Sequence, residues 1–296
     1  MADAVKGTAL YFRAISATHS PAELVRRCKA LGLTWAAIGA VWQEFDRKAG
    51  RLKTGWMNPP EKCREFLDAL AGAGIDGYVW GYPWAGMVDQ FISGMVEASG
   101  DHRKVLLDPE LGMSPPKDPK VWKPATDGPS LAAARAMASK LVVGLRRSGA
   151  TRIGLSTYGV VPRWFPLDAF LREGLDFAGG QTYTDDARVD SSIASFLKAF
   201  KAAGLEPGDV QLVPNFGTYS WEQAGGERRA RAKTEAEQAH HLMEFVDEGE
   251  PVRALVGWAA NFVRWDAHGA PVGNGRALAR FSGQMARGAC ALPVAT

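Results

Sequence analysis

The sequence predicts an α/β fold: a single (β/α)8 TIM barrel, with residues 1–296 as one domain. Three observations predict it. Apolar runs of strand length alternate eight times with helical runs, without a break, which is the pattern of parallel strands joined by crossover helices. The run from Thr34 to Trp42 is apolar on both faces, as in a parallel sheet covered by helices. The sequence after the first strand, Arg13-Ala14-Ile15-Ser16-Ala17-Thr18-His19, contains no glycine, where a doubly wound nucleotide-binding sheet would place its phosphate turn. A chain of 296 residues, 46% hydrophobic, suits a barrel of the usual ~250 residues.

Taken in order, Thr8 to Phe12 is the first strand, and Pro21 opens a helix to Leu31 with Ser20 as its cap and Gly32 as its stop. Thr34 to Trp42 is the second strand, followed by a polar loop from Asp46 to Thr54. Pro59 and Pro60 start a helix through Gly74, Ile75 to Tyr82 is the third strand, and Pro83 to Ala98 a helix. Lys104 to Glu110 is the fourth strand, and the proline-rich segment from Met113 to Asp127 an ordered loop over its end. An Ala-rich helix from Pro129 to Arg147 leads to the fifth strand, Arg152 to Tyr158, and a short helix from Pro166 to Glu173 to the sixth, Leu175 to Tyr183. A helix from Ser191 to Ala203 precedes the seventh strand, Val210 to Phe216, and a second long loop. A helix from Thr234 to Val246, an eighth strand from Ala254 to Phe262 and a helix from Ala277 to Met285 complete the pattern.

Composition narrows the function. The net charge of +3 is too small and dispersed to suggest nucleic acid. The densest basic run, Glu227 to Lys233, reads as a solvated loop or helix start. His240-His241 lies within a helix and is expected at the surface. Cys28, Cys63 and Cys290 have neither pairing nor metal spacing, and Cys28 and Cys63 fall on apolar helix faces as buried thiols. No His, Cys and acid spacing suggests zinc, and no Gly-x-Ser-x-Gly elbow a serine nucleophile; Ser156 has no histidine partner. No metal and no cofactor are therefore expected. No apolar run reaches ~18 residues, so no membrane span is expected. Met1-Ala2-Asp3-Ala4-Val5-Lys6 does not read as a secretory signal, which points to the cytoplasm or to a non-classical or phage-type route of release.

A barrel places its active site at the carboxyl ends of its strands. The fourth strand ends in Asp108-Pro109-Glu110. Side chains alternate along a strand, so both acids point to one side, ~7 Å apart along the chain. Two crowded acids repel when both are charged, and one tends to keep its proton near neutral pH, as an acid catalyst of glycoside cleavage requires. Asp108 and Glu110 are thus the catalytic candidates, with Tyr183 at the sixth strand end. Trp80, Tyr82, Tyr158, Gln181, Asn215 and Trp258 stand at other strand ends as substrate-binding candidates. Flat aromatic rings pack on the apolar faces of sugars, while amides and acids bond their hydroxyls, a mixture that suits a polysaccharide.

These residues resemble two glycoside hydrolase families. Leu106-Leu107-Asp108-Pro109-Glu110 resembles the strand-four Asp-x-Glu of family 25, the lysozyme-like muramidases acting on peptidoglycan, and the tail of the longer acidic motif of family 18, the chitinases. Tyr78-Val79-Trp80-Gly81-Tyr82 and Ile153 to Tyr158 look like the third and fifth strands of family 25. Ala178 to Thr184 looks like its sixth, and also like the family 18 strand that bears a site tyrosine; Gly257-Trp258 resembles the strand-eight tryptophan of family 18. The resemblance implies a retaining hydrolysis assisted by the substrate's own acetamido group. Glu110 would protonate the glycosidic oxygen, Asp108 would orient the acetamido group, Tyr183 would hydrogen-bond it, and Trp258 would support the ring. The chain departs from both patterns. Tyr11 and Arg13 stand where family 25 carries a strand-one aspartate, and Leu106 and Lys104 where family 18 carries further acids. A catalytically inactive barrel, used as a glycan-binding or structural module, is the alternative.

Overall fold

The computed structural model describes residues 4–46, 49, 51–109, 131–162, 165–182, 189–206, 209–224, 227–247, 254–258 and 260–286. The elements run β1 (Gly7–Phe12), α1 (Pro21–Ala30), β2 (Trp35–Asp46), β3 (Arg51–Trp56), α2 (Pro60–Gly72), β4 (Asp76–Tyr82), α3 (Val88–Ser99), β5 (Lys104–Leu107), α4 (Leu131–Arg147), β6 (Arg152–Tyr158), α5 (Leu167–Arg172), β7 (Phe177–Thr182), α6 (Val189–Ala202), β8 (Gln211–Leu212), β9 (Asn215–Gly217), β10 (Tyr219–Ala224), β11 (Glu227–Ala232), α7 (Glu235–Asp247), β12 (Ala254–Trp258), β13 (Arg264–Trp265), β14 (Pro271–Val272) and α8 (Asn274–Ala286). Parallel pairing runs β1–β12–β9–β7–β6–β5–β4–β2 and returns from β2 to β1, which closes the barrel. The seventh barrel strand comes in two pieces, β8 and β9. Pro214 between them has no N–H for the ladder, but its carbonyl still accepts from Val256 N at 3.2 Å.

Strand parity divides the core into two layers. Leu10, Phe12, Ile38, Val79, Leu107 and Leu155 face the helices. Ala9, Tyr11, Trp80, Leu106 and Val256 face the barrel axis. At the amino end of the barrel Trp35, Tyr78 and Phe177 meet edge to face, with centroids 5.5, 5.8 and 5.6 Å apart. They fill the axis because their neighbours are small. A Cβ on Gly154 would lie 2.1 Å from the Phe177 ring.

Several expectations need correction. The polar segment after Asp46 is not simply a loop: β2 continues to Asp46 and pairs antiparallel with β3. Cross-strand partners explain it, since Lys53 pairs with Glu44 at 2.5 Å and Gln43 Nε2 donates to Thr54 Oγ1 at 3.1 Å. α3 begins at Val88 rather than Pro83; the Trp84 N–H is taken by Gln43 Oε1 at 2.8 Å, and a 3-10 turn, Ala85–Met87, comes first. The basic run is strand β11, paired antiparallel with β10. The eighth barrel strand stops at Trp258, and Ala260–Phe262 form a 3-10 turn. His241 is buried rather than exposed. Its Nε2 accepts from Gly217 N at 3.3 Å, which puts the ring proton on Nδ1, facing Glu244 Oε2 at 2.9 Å. The proline-rich segment from Met113 to Asp127 lies outside the described residues. Among the described residues no helix is long and apolar enough to cross a membrane.

Candidate active site

The inward positions at the carboxyl ends of five strands carry polar side chains, and these form one hydrogen-bonded network. Asp108 follows β5 directly, and its backbone N–H donates to Gly81 O of β4 at 3.0 Å. Its side chain is buried, with 8% of the residue exposed. Gln181, at the inward end of β7, donates from Nε2 to Asp108 Oδ1 at 2.9 Å and to Ser156 Oγ of β6 at 3.2 Å. The Ser156 hydroxyl donates in turn to Asn215 Oδ1 of β9 at 2.9 Å. Tyr11 of β1 donates its phenol to the same oxygen at 3.0 Å. With its oxygen receiving two donors, the Asn215 amide turns Nδ2 towards Val213 O, at 3.3 Å. The Tyr11 ring stands edge-on to Trp80 of β4, 5.5 Å between centroids.

The order of donors gives this network its chemistry. An ionised carboxylate only accepts hydrogen bonds, and Gln181 offers it an N–H. The other side chains in this chain of bonds, Gln181, Ser156, Asn215 and Tyr11, are neutral. Asp108 is thus held in place by an amide and, behind it, by two hydroxyls and a second amide. Buried polar groups linked in this way are costly to unpair singly, so the network fixes side-chain positions at the mouth.

The sequence candidates distribute as follows. Asp108, Gln181 and Asn215 belong to the network, and Trp80 packs against it. Tyr82 ends β4, half-buried. Tyr158 is half-buried, and its ring meets Phe165 edge-on at 5.8 Å, on the side of the helix-facing core. Trp258 pairs its backbone with Gly217. Its side chain, with Glu110 and Tyr183, lies outside the described residues. Tyr11 and Ser156 were missed as site residues. The usable signal was alternation: Tyr11 lies between Leu10 and Phe12, and Ser156 follows Leu155, and these apolar neighbours face the helices. Among the described residues no group of three or more His, Cys, Asp or Glu side chains could hold a metal ion.

No protein-family model matches the chain, and no curated protein matches it. Solved structures do match its fold. The catalytic domain of the hyperthermophilic chitinase from Pyrococcus furiosus matches with a TM-score of 0.63 over 98% of this chain and 98% of that one, at 12% identity. The spore cortex-lytic enzyme SleL of Bacillus cereus matches with a TM-score of 0.55 at 11% identity, over 93% of this chain and 74% of that one. The endo-β-1,4-mannanase of Thermotoga petrophila matches at 0.56 and 9% identity, over 97% and 78%. At such identities the likeness is one of fold: this chain has the barrel on which glycoside hydrolases of several kinds are built.

Proposed function

We propose that the protein is a glycoside hydrolase acting on an N-acetylated polysaccharide, chitin-like or peptidoglycan, with retention at the anomeric carbon. The observation that carries this reading is the buried Asp108 carboxylate at the barrel mouth, held by the Gln181 amide at 2.9 Å. Glu110, two residues further along the chain, is the acid that protonates the glycosidic oxygen. As that bond breaks, the substrate's acetamido oxygen attacks the anomeric carbon, and Asp108 orients the acetamido group and balances its positive charge. Water then opens the cyclic intermediate, and Glu110, left as a carboxylate by the first step, takes a proton from that water. Gln181 keeps Asp108 aimed, and Tyr183 and Trp258 hold the acetamido group and the sugar ring. A P. furiosus chitinase domain of the same fold is known in complex with chito-oligosaccharides, which supports a sugar polymer as the partner.

One observation favours the alternative of a glycan-binding barrel without turnover. Tyr11 stands at the strand-one position where the muramidase pattern has an acid, and it supports Asn215 through a neutral phenol. Proton NMR of the fresh products from a chito-oligosaccharide tests the proposed chemistry. Retention requires the β-anomer to appear first; the α-anomer first would exclude the acetamido-assisted route.

A further inference from the structure

A cavity lies behind β1, outside the barrel wall. It has a volume of about 560 Å³ and is enclosed by the β1–α1 segment, α1, and the segment from Ala260 to Trp265. Leu10 and Phe12 point into this outer region, whereas Tyr11 between them faces the axis. The wall of β1 therefore separates the cavity from the Asp108 network. The size is that of an ordinary small-molecule site.

Both walls are held by buried asparagines. Asn58 accepts from the N–H groups of Ile15 and Ser16, each at 2.8 Å, and donates to Gly39 O at 2.7 Å and to Arg13 O. All four of its hydrogen-bonding positions are used, and the segment that carries Arg13 is fixed. On the other side Asn274 donates to Phe262 O at 2.9 Å and to Thr218 O at 3.0 Å, and accepts from Arg264 N at 3.1 Å. The cavity is thus shaped before anything enters it, which lowers the ordering cost of binding.

The lining is aromatic and basic. None of the lining residues is acidic. Arg27 lies over the Trp265 ring, 5.0 Å from its centroid. It shares the Glu23 carboxylate with Arg26, at 2.7 and 2.8 Å, so one carboxylate faces two guanidinium groups and a unit of positive charge is left over. The Arg13 side chain is exposed and has no ion pair among the described residues. The enclosed Trp265 indole N–H has no acceptor among the described residues. Burial and the Arg27 charge both hold the His19 imidazole below its ordinary pKa, so this ring adds hydrogen-bonding capacity rather than a fixed charge at neutral pH.

We propose that this cavity is a binding site for a small organic acid, with its carboxylate on Arg13 and its ring-sized body against Trp265. A guanidinium pairs with a carboxylate through two parallel hydrogen bonds, and the aromatic walls take the apolar face. Acidic sugars and aromatic carboxylic acids share this chemistry. Calorimetric titration of the full chain with N-acetylmuramic acid, 3-phenylpropionate and N-acetylglucosamine tests it. At least one of the two acids binds with an affinity that depends on Arg13, the neutral sugar shows no Arg13-dependent binding, and the tighter acid tells which source the site suits. Arg13→Ala weakens the acid by about tenfold, and Arg13→Lys recovers part of that loss. Asp108→Asn leaves the affinity unchanged, because its side chain is on the other side of β1. The proposal is overturned if neither acid binds, or if Arg13→Ala weakens N-acetylglucosamine as much as it weakens N-acetylmuramic acid. It is also overturned if folded Arg13→Ala binds like wild type, or if Asp108→Asn abolishes binding, which would put the probe in the barrel mouth.

Discussion

Gln181 touches two partners, and what it does for each differs. For Ser156 it is one donor in a neutral chain; for Asp108 it is the donor to a carboxylate. Gln181→Leu keeps a similar volume and removes both bonds. Stability falls by about 1–3 kcal/mol in denaturant titration, the usual consequence of stranding buried polar groups. If Asp108 guides the acetamido group, kcat/KM on a chito-oligosaccharide falls by about a hundredfold, since small misplacements of a guiding group are expensive. Unchanged kcat/KM in the folded variant would detach Gln181 from the chemistry. The two buried cysteines make a separate residue-scale case. Burial pushes the Cys28 and Cys63 thiols up to about 12, and the thiolate is the reactive form. Both resist a thiol-specific reagent at pH 8 in the native protein and react once denaturant unfolds it, which peptide mapping after labelling reads directly.

At the scale of elements, the β10–β11 hairpin depends on one glutamate. Thr234 caps α7 by accepting from Glu237 N at 3.2 Å, and Glu237 Oε2 accepts from Thr234 N at 2.7 Å, a reciprocal capping box. The same carboxylate receives both Arg231 nitrogens at 2.8 and 2.6 Å, which ties β11 to α7. Arg231, helped by Thr234, holds the Glu237 carboxyl down at about 2, from an ordinary 4.5. A depressed carboxylate stabilises the fold fully above its unfolded value and loses that contribution as pH falls towards the folded one. Stability therefore drops between about pH 4.5 and 2, and Glu237→Gln makes that drop shallower; equal slopes in pH-dependent denaturation would contradict this. The hairpin was hidden in the sequence because Arg228 to Arg231 reads as a solvated charge run, and only pairing with Tyr219 to Ala224 makes it a strand. The same holds for β3, whose polar residues find their partners across the sheet on β2.

Across the whole molecule, the barrel was legible because each crossover unit repeats the same local pattern, and the eight strand-to-helix alternations need no long-range information. Position at the strand ends also put Asp108, Gln181 and Asn215 at one mouth. The relay between them was not legible. Tyr11 meets Asn215 across 204 positions and Ser156 meets it across 59, and such contacts come from the closure of the barrel. His241 was misplaced for the same reason: its partner, Gly217, belongs to a strand that packs on α7 only in the closed fold. Closure also rests on the aromatic plug at the amino end. Phe177→Ala empties the space that Gly154 leaves open and costs about 3–5 kcal/mol, measured by thermal or denaturant unfolding. A loss below 1 kcal/mol would mean that the plug collapses around the cavity.

The proposed function stands or falls on whether Asp108 and Glu110 cleave a glycosidic bond. Release of reducing ends from chitin oligomers and from purified peptidoglycan, by wild type beside Glu110→Gln and Asp108→Asn, tests it most directly. The account predicts release from at least one polymer by wild type, and a loss of several orders of magnitude in both variants while they stay folded. Release that survives Glu110→Gln undiminished, or none at all from a folded wild type on either polymer, would contradict it and leave a barrel that binds glycans without cutting them.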